Sequence, residues 1–309
     1  MQGLVTVCGL LLLIFSVHAH VVQNFEVCNE YFYKNVTPQL EASRHHVNIC
    51  QNFKNKYYFA TLYDTANRIP VYSAYIFEKN NNWGRETQWF VEPQLVNQSW
   101  EKSMMTDKIL RYKHNIDITS IGERQAVNAD YVGLQNKTGY NRGHLNPNGH
   151  HADLGRKATF TLTNVVPQNA ALNKGSWKNY ENKLKDTFKD CKKAYVLVGA
   201  IPSSNWVTKQ NVTRVNIPEY LWHAYCCVDN NDKPFKSGAA TAQNTDSEVQ
   251  ECSLDSLKNF FKKVKPEVNE LFSDNCNEPT SSGPEGDCAS VVPSFYRMLI
   301  VTVLILLKL

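Results

Sequence analysis

No two of the nine cysteines in this sequence form a Cys-x-x-Cys pair, which removes the usual ligand spacing of a structural zinc site. Internal repeats and low-complexity blocks are also missing, so a solenoid or a disordered tract is set aside. Long apolar runs are absent as well. Those from Leu4 to Val17 and from Met298 to Leu307 both fall short of the ~20 residues that a spanning helix needs. Charge of one sign is scarce: the net value of +4 permits a polyanionic partner without requiring one.

What is present describes one large globular domain. A 42% hydrophobic content with 11% aromatics supplies ample core material, and 309 residues suffice to bury it. Met1 to Ala19 is an apolar stretch ending Val17-His18-Ala19, the small-residue pattern of a signal peptide, although it holds no Lys or Arg. Export is therefore expected, and with it glycosylation at the sequons Asn35, Asn97, Asn136 and Asn211. Loss of Cys8 with the signal would leave an even set: Cys28, Cys50, Cys191, Cys226, Cys227, Cys252, Cys276 and Cys288. In an oxidising compartment these allow up to four disulfides, whose connectivity stays open. Ser281-Ser282-Gly283, a spacer and the terminal apolar run form the pattern of a glycolipid-anchor signal, an alternative to plain secretion. Cleavage there would discard Cys288 and leave an odd count. The expected layout is a signal peptide (1–19), an N-terminal extension (20–56) with Cys28 and Cys50, a main domain (57–276), a linker (277–297) and a hydrophobic tail (298–309).

Between Tyr57 and Phe77 two β-prone runs flank a polar turn at Asp64 to Asn67, which predicts paired strands. Further strands are expected at Thr159 to Val166 and Ala194 to Val198, with a long functional loop over Gly139 to Asp153. Ala170 to about Phe188 has helical composition and places Asn173, Trp177 and Glu181 along one face. A last helix is expected from Ser253 to Lys265, with an apolar stripe through Leu254, Leu257, Phe260, Phe261 and Val264.

The residues with chemical content lie between Thr138 and Glu181. His144 beside Arg142 in a polar segment, ahead of a helix bearing Asn173 and Glu181, offers a base, a phosphate clamp and oxygen ligands. Phosphodiester hydrolysis needs all three: a base to deprotonate water, positive charge on the phosphate oxygens, and help for the leaving alkoxide. Mg2+ suits such a site because it accepts few protein oxygens and keeps its waters, and Mn2+ could replace it. His150 and His151 also raise the thought of zinc, but only Asp153 stands near them as a further ligand. They are expected to shape the loop or to contact substrate.

The set Asn141-Arg142-Gly143-His144, then Asn164 to Gln168, then Leu172-Asn173, Trp177 and Glu181 resembles the paired motifs of the DNA/RNA non-specific endonuclease family. The stretch Leu62 to Tyr75 is similar to its vertebrate endonuclease domain-containing branch, and the resemblance covers roughly Tyr57 to Phe261. It implies an α+β, His-Me finger (ββα-metal) fold with a central antiparallel sheet, stabilised here by disulfides. It further implies that His144 is the general base, that Asn173 is the direct protein ligand of the metal, and that Glu181 orients water from behind it. Arg142 and Arg68 would face phosphate, Trp177 would pack the helix on the strands, and Gln168 and Asn164 would tie the strand to the catalytic loop. DNA and RNA would then be bound through phosphate contacts.

The family motif begins with Asp where this sequence has Asn141. An amide can replace part of a carboxylate's hydrogen bonding but not its charge. Two function classes follow: a metal-dependent nuclease, with a slower or pH-shifted site, and a binding module for nucleic acid or protein that keeps the fold without the chemistry.

Overall fold

The computed structural model describes residues 21–40, 43–79, 86–264, 268–276 and 288. The expected signal peptide at 1–19 and hydrophobic tail at 298–309 lie outside the described residues. Among the described residues, no helix is long and apolar enough to cross a membrane.

In chain order the principal strands are β1 (Val21–Val22), β2 (His46–Phe53), β3 (Lys56–Asp64), β4 (Ile69–Ile76), β5 (Tyr140–His144), β6 (Val165–Asn169), β7 (Lys193–Ile201), β8 (Tyr220–Val228), β9 (Pro234–Gln243) and β10 (Gln250–Cys252). One antiparallel sheet of eight strands runs β1-β2-β3-β4-β7-β8-β9-β10, while β5 and β6 form a separate hairpin. The expected pair between Tyr57 and Phe77 is β3 and β4. Its turn is built by Asp64, whose Oδ1 accepts from the backbone N–H groups of Ala66 (2.8 Å) and Asn67 (2.9 Å).

The sheet is buried on both faces, and strand alternation sorts its side chains between two cores. On β7, Ala194, Val196, Val198 and Ala200 enter the core that holds Trp177, Tyr180 and Leu184, whereas Tyr195, Leu197 and Ile201 enter the opposite one. That second core is closed by Phe25, Phe32 and Tyr33 from the N-terminal segment and by Leu257, Phe260 and Phe261. The three late residues belong to a helix, Leu254–Val264, within one residue of each expected end.

Adjacent Cys226 and Cys227 obey the same alternation. Pointing to opposite faces, they bond separately, Cys226 to Cys276 and Cys227 to Cys191. Cys28–Cys50 and Cys252–Cys288 complete four disulfides among the described residues. Two boundaries change as a result. The 20–56 segment is no appendage, because β1 and β2 are strands of the sheet and Cys28 is bonded to β2. Cys288, expected in a linker, is buried and bonded to the end of β10.

Candidate active site

The site is assembled on the β5–β6 hairpin and two short helices, α1 (Leu134–Thr138) before it and α2 (Ala170–Lys174) after it, followed by α3 (Ser176–Thr187). Part of the expected loop over Gly139 to Asp153 is therefore the strand β5, paired along its length with β6: Asn141 faces Gln168, and His144 faces Val165. The strand expected at Thr159 to Val166 starts only at Val165. Before it, Leu162–Asn164 form a 3-10 turn whose side chains are all buried. Asn169 ends the hairpin and caps α2, its Oδ1 accepting from Ala171 N (2.9 Å) and Leu172 N (3.3 Å).

The single helix expected over Ala170 to Phe188 is broken at Gly175. A Cβ at that position would lie 2.7 Å from the carbonyl oxygen of Ala171, so only glycine lets the chain pass from α2 into α3. Across the break Asn173, Trp177 and Glu181 keep their relation: Trp177 is buried in the core, and Asn173 and Glu181 line a common cavity.

That cavity has a volume of about 860 Å³ and brings together Asn141, Arg142, His144, Asn173 and Glu181, with Lys174 and Lys178 beside them. Alternation along β5 sends Arg142 and His144 to one side. Gly143, between them, meets Gln168 on the other; a Cβ there would fall 2.0 Å from the Gln168 Oε1. The imidazole of His144 packs against Trp89 (ring centroids 5.4 Å apart) and edge-on to Phe160 (4.9 Å). The Arg142 guanidinium lies over the rings of Trp89 (4.8 Å) and Tyr131 (5.4 Å) and donates to the Asn128 carbonyl oxygen. Trp89 thus touches both the His144 imidazole and the Arg142 guanidinium.

Asn173 donates through Nδ2 to Asn141 Oδ1 (2.5 Å), which leaves the Asn173 carbonyl oxygen as the atom it can offer a cation. Burial pushes the Glu181 carboxyl up to about 8 from an ordinary 4.5, only partly offset by Trp177, Lys185 and Lys178. Its backbone carbonyl accepts from His150 Nε2 (2.9 Å), so His150 Nδ1 accepts the Tyr75 hydroxyl proton (2.9 Å). With both nitrogens engaged and its ring buried, His150 is held neutral, down at about 4. His151, also buried and down at about 3, donates from Nε2 to Asn146 Oδ1 (2.6 Å). Both histidines shape the segment after His144; neither reaches the cavity lining.

Asn164 hydrogen-bonds to the segment that follows His144. Its Nδ2 donates to Asn146 O (2.9 Å), and its Oδ1 accepts from Asn146 N (3.0 Å) and Ser73 Oγ (2.8 Å). Gln168 does not share that role: its buried carboxamide packs on Gly143 and forms no hydrogen bond among the described residues. Arg68 is not brought to the cavity either. It sits at a left-handed backbone position (φ 54°) beyond the β3–β4 turn, with its guanidinium donating to the carbonyls of Gly122 (3.0 Å), Glu123 (3.2 Å) and Arg214 (2.9 Å). Those acceptors hold it in a structural position, and the expectation that it faces phosphate gives way.

Several contributors carried no signal in the sequence. Trp89, Tyr131 and Asn128 reach Arg142 from before the motif, and Asn244, just after β9, anchors the hairpin by donating to Pro167 O (2.9 Å) and accepting from Asn169 N (2.8 Å). Lys174 and Lys178 were legible in principle, since each follows a motif residue by one position.

Residues 40–271 match the DNA/RNA non-specific endonuclease family. The chain is 32% identical to the endonuclease domain-containing 1 protein of Mus musculus over 261 residues, covering 82% of the chain and 48% of that relative. It is likewise 32% identical to the Homo sapiens protein of the same name over 260 residues. It spans about half the length of these curated relatives. A solved chain from the EndoG/EndoGI complex superposes with a TM-score of 0.45 at 18% identity, covering 83% of this chain and 95% of that one. On the extent of the family match and the identity to these relatives, the chain belongs to the DNA/RNA non-specific endonuclease family.

Proposed function

We propose that this chain is a secreted, metal-dependent endonuclease that hydrolyses phosphodiester bonds of DNA and RNA with little sequence preference. The observation that carries this reading is the convergence of His144, Arg142, Asn173 and Glu181 on one cavity. The donor chemistry fits Mg2+ or Mn2+: the Asn173 carbonyl oxygen is a hard oxygen ligand, Asn141 holds the Asn173 amide nitrogen away, and the Glu181 carboxyl stands in the same cavity to orient water on the cation. When bound, such a cation would neutralise charge developing on the phosphate and on the leaving oxygen.

The chain's own residues supply the rest. His144 takes a proton from water as the water oxygen bonds to phosphorus, while the opposite phosphorus–oxygen bond breaks in line. Trp89 and Phe160 fix the imidazole against rotation. Arg142, Lys174 and Lys178 draw phosphates to the cavity, and because such contacts carry no base information, little sequence preference follows. Four disulfides and four exposed sequons support export. With Cys288 bonded to Cys252, any glycolipid attachment belongs after Cys288.

One observation favours the rival reading of a binding module, namely Asn141 where the family motif has Asp. The test is incubation of the full chain, made in an oxidising secretory host, with supercoiled plasmid and with RNA, in Mg2+ or EDTA, beside His144→Ala. Metal-dependent degradation lost in the variant supports the nuclease. Folded protein that binds nucleic acid but cleaves nothing supports the binding module.

A further inference from the structure

The cavity that holds His144 and Arg142 is also lined by Asn136, the asparagine of an Asn-Lys-Thr sequon. Asn136 lies in α1, bracketed by Gly133 (φ 69°) and Gly139 (φ 77°), so the helix stands as one exposed turn leading directly into β5. Asn136 and Thr138 are both exposed, and the sequon hydroxyl of Thr138 donates to Leu134 O (2.8 Å). The other sequons stand elsewhere: Asn97 and Asn211 are exposed but do not line this cavity, and Asn35 lines a separate one of about 420 Å³.

We infer that Asn136 carries an N-linked glycan at the mouth of the catalytic cavity, and that this glycan favours flexible single strands over duplex as substrate. The inference rests on the nuclease and export readings above. An N-glycan is bulky and hydrated, and its attachment point fixes it beside the route to Arg142. Duplex DNA is a stiff rod with a persistence length of about 50 nm, so it cannot curve around an obstacle at the mouth without bending energy. A single strand bends freely and can enter a cavity whose size is that of a small-ligand site. The cations inside attract both forms alike, so the discrimination is steric.

The test compares the full secreted chain with Asn136→Gln and, as a control glycan away from the cavity, Asn211→Gln. Three quantities are measured: occupancy of Asn136 by glycopeptide mass spectrometry, cleavage rates on plasmid duplex and on a single-stranded oligonucleotide, and affinity for both in EDTA. The expected result is an occupied Asn136, a several-fold rise in the duplex-to-single-strand ratio of rates and affinities for Asn136→Gln, and no change for Asn211→Gln. An unoccupied Asn136, or an unchanged ratio in that variant, overturns the proposal. If no form cleaves, the nuclease reading fails alone and the affinity ratio still decides the glycan's role. If no form binds nucleic acid, both are overturned.

Discussion

Asn173 and Asn141 are joined side chain to side chain, the amide of one donating to the carbonyl oxygen of the other across 2.5 Å. The acceptor is the residue that departs from the family motif, and its oxygen does what a carboxylate oxygen would do at that point. Asn141→Ala removes the acceptor and lets the Asn173 amide rotate, so metal affinity should fall by roughly 10–100-fold, the usual range for a group that orients a ligand. Asn141→Asp keeps the acceptor and adds a negative charge beside the cation, so affinity should rise. Calorimetric titration with Mn2+ checks both. Equal affinity in all three proteins would mean that Asn141 does not position Asn173.

Glu181 links metal binding to pH. Its carboxyl, raised to about 8 by burial, is protonated at neutral pH before a cation arrives, and accepting a hydrogen bond from cation-bound water as a carboxylate requires it to lose that proton. Metal uptake below pH 8 should therefore release a proton and tighten as pH rises. For the metal-free protein the sign is reversed. A raised folded value contributes stability that is fully present below about 4.5 and is lost as pH climbs through about 8. Glu181→Gln should abolish the proton release, measured by titration in buffers of different ionisation enthalpy, and flatten the metal-free loss of stability between those limits. A wild-type protein that releases no proton at pH 7 would contradict this account.

The motif residues were legible because their spacing is local: Asn141 to His144 sit on one strand, and Asn173 to Glu181 on consecutive helical turns. The helix break at Gly175 was not, since it depends on the approach of one carbonyl oxygen. Arg68 illustrates a different limit. A cation near a motif reads as a phosphate contact, but its partners are three backbone carbonyls, two of them on a segment more than fifty residues away in sequence. Trp89 and Asn244 reach the hairpin through tertiary packing alone, which no local pattern encodes. The strand expected from Thr159 failed for a related reason. β-Branched threonines suit a strand, yet Thr161 and Thr163 turn inward to bond the buried Glu92 carboxylate (2.7 and 3.1 Å).

Gly143 is the tightest point of the hairpin. A methyl group there would meet both Oε1 (2.0 Å) and Cβ (2.4 Å) of Gln168, so β5 and β6 could keep their register only by shifting apart. Gly143→Ala should destabilise the protein by about 1–3 kcal/mol, as overpacking does, and reduce cleavage more than stability alone explains. Gly149 serves as the control, because a Cβ there meets nothing closer than the flexible Lys185 Nζ at 3.5 Å. Chemical denaturation of both variants checks the contrast; equal stability would show that the hairpin yields without cost.

Trp89 should behave as a positioning residue. It touches neither phosphate nor water in the proposed reaction, but its ring bears on His144 and on Arg142 at once. Trp89→Ala frees both side chains to sample other rotamers, which lowers the fraction of molecules with the base aligned. Lys174 and Lys178, which also line the cavity, stay in place to hold phosphate in the proposed reaction. The cost should therefore fall on kcat more than on KM, because alignment matters most in the transition state. Trp89→Phe keeps an aromatic face and should recover much of the rate. The mutant pH profile provides the second readout. If Trp89 only fills space, the alanine variant should lose stability while the folded fraction keeps wild-type kcat and an unmoved pH optimum. If it holds the imidazole as the geometry indicates, kcat per folded molecule falls, and the acidic limb of the profile, where a general base must lose its proton, moves with the altered surroundings of the ring.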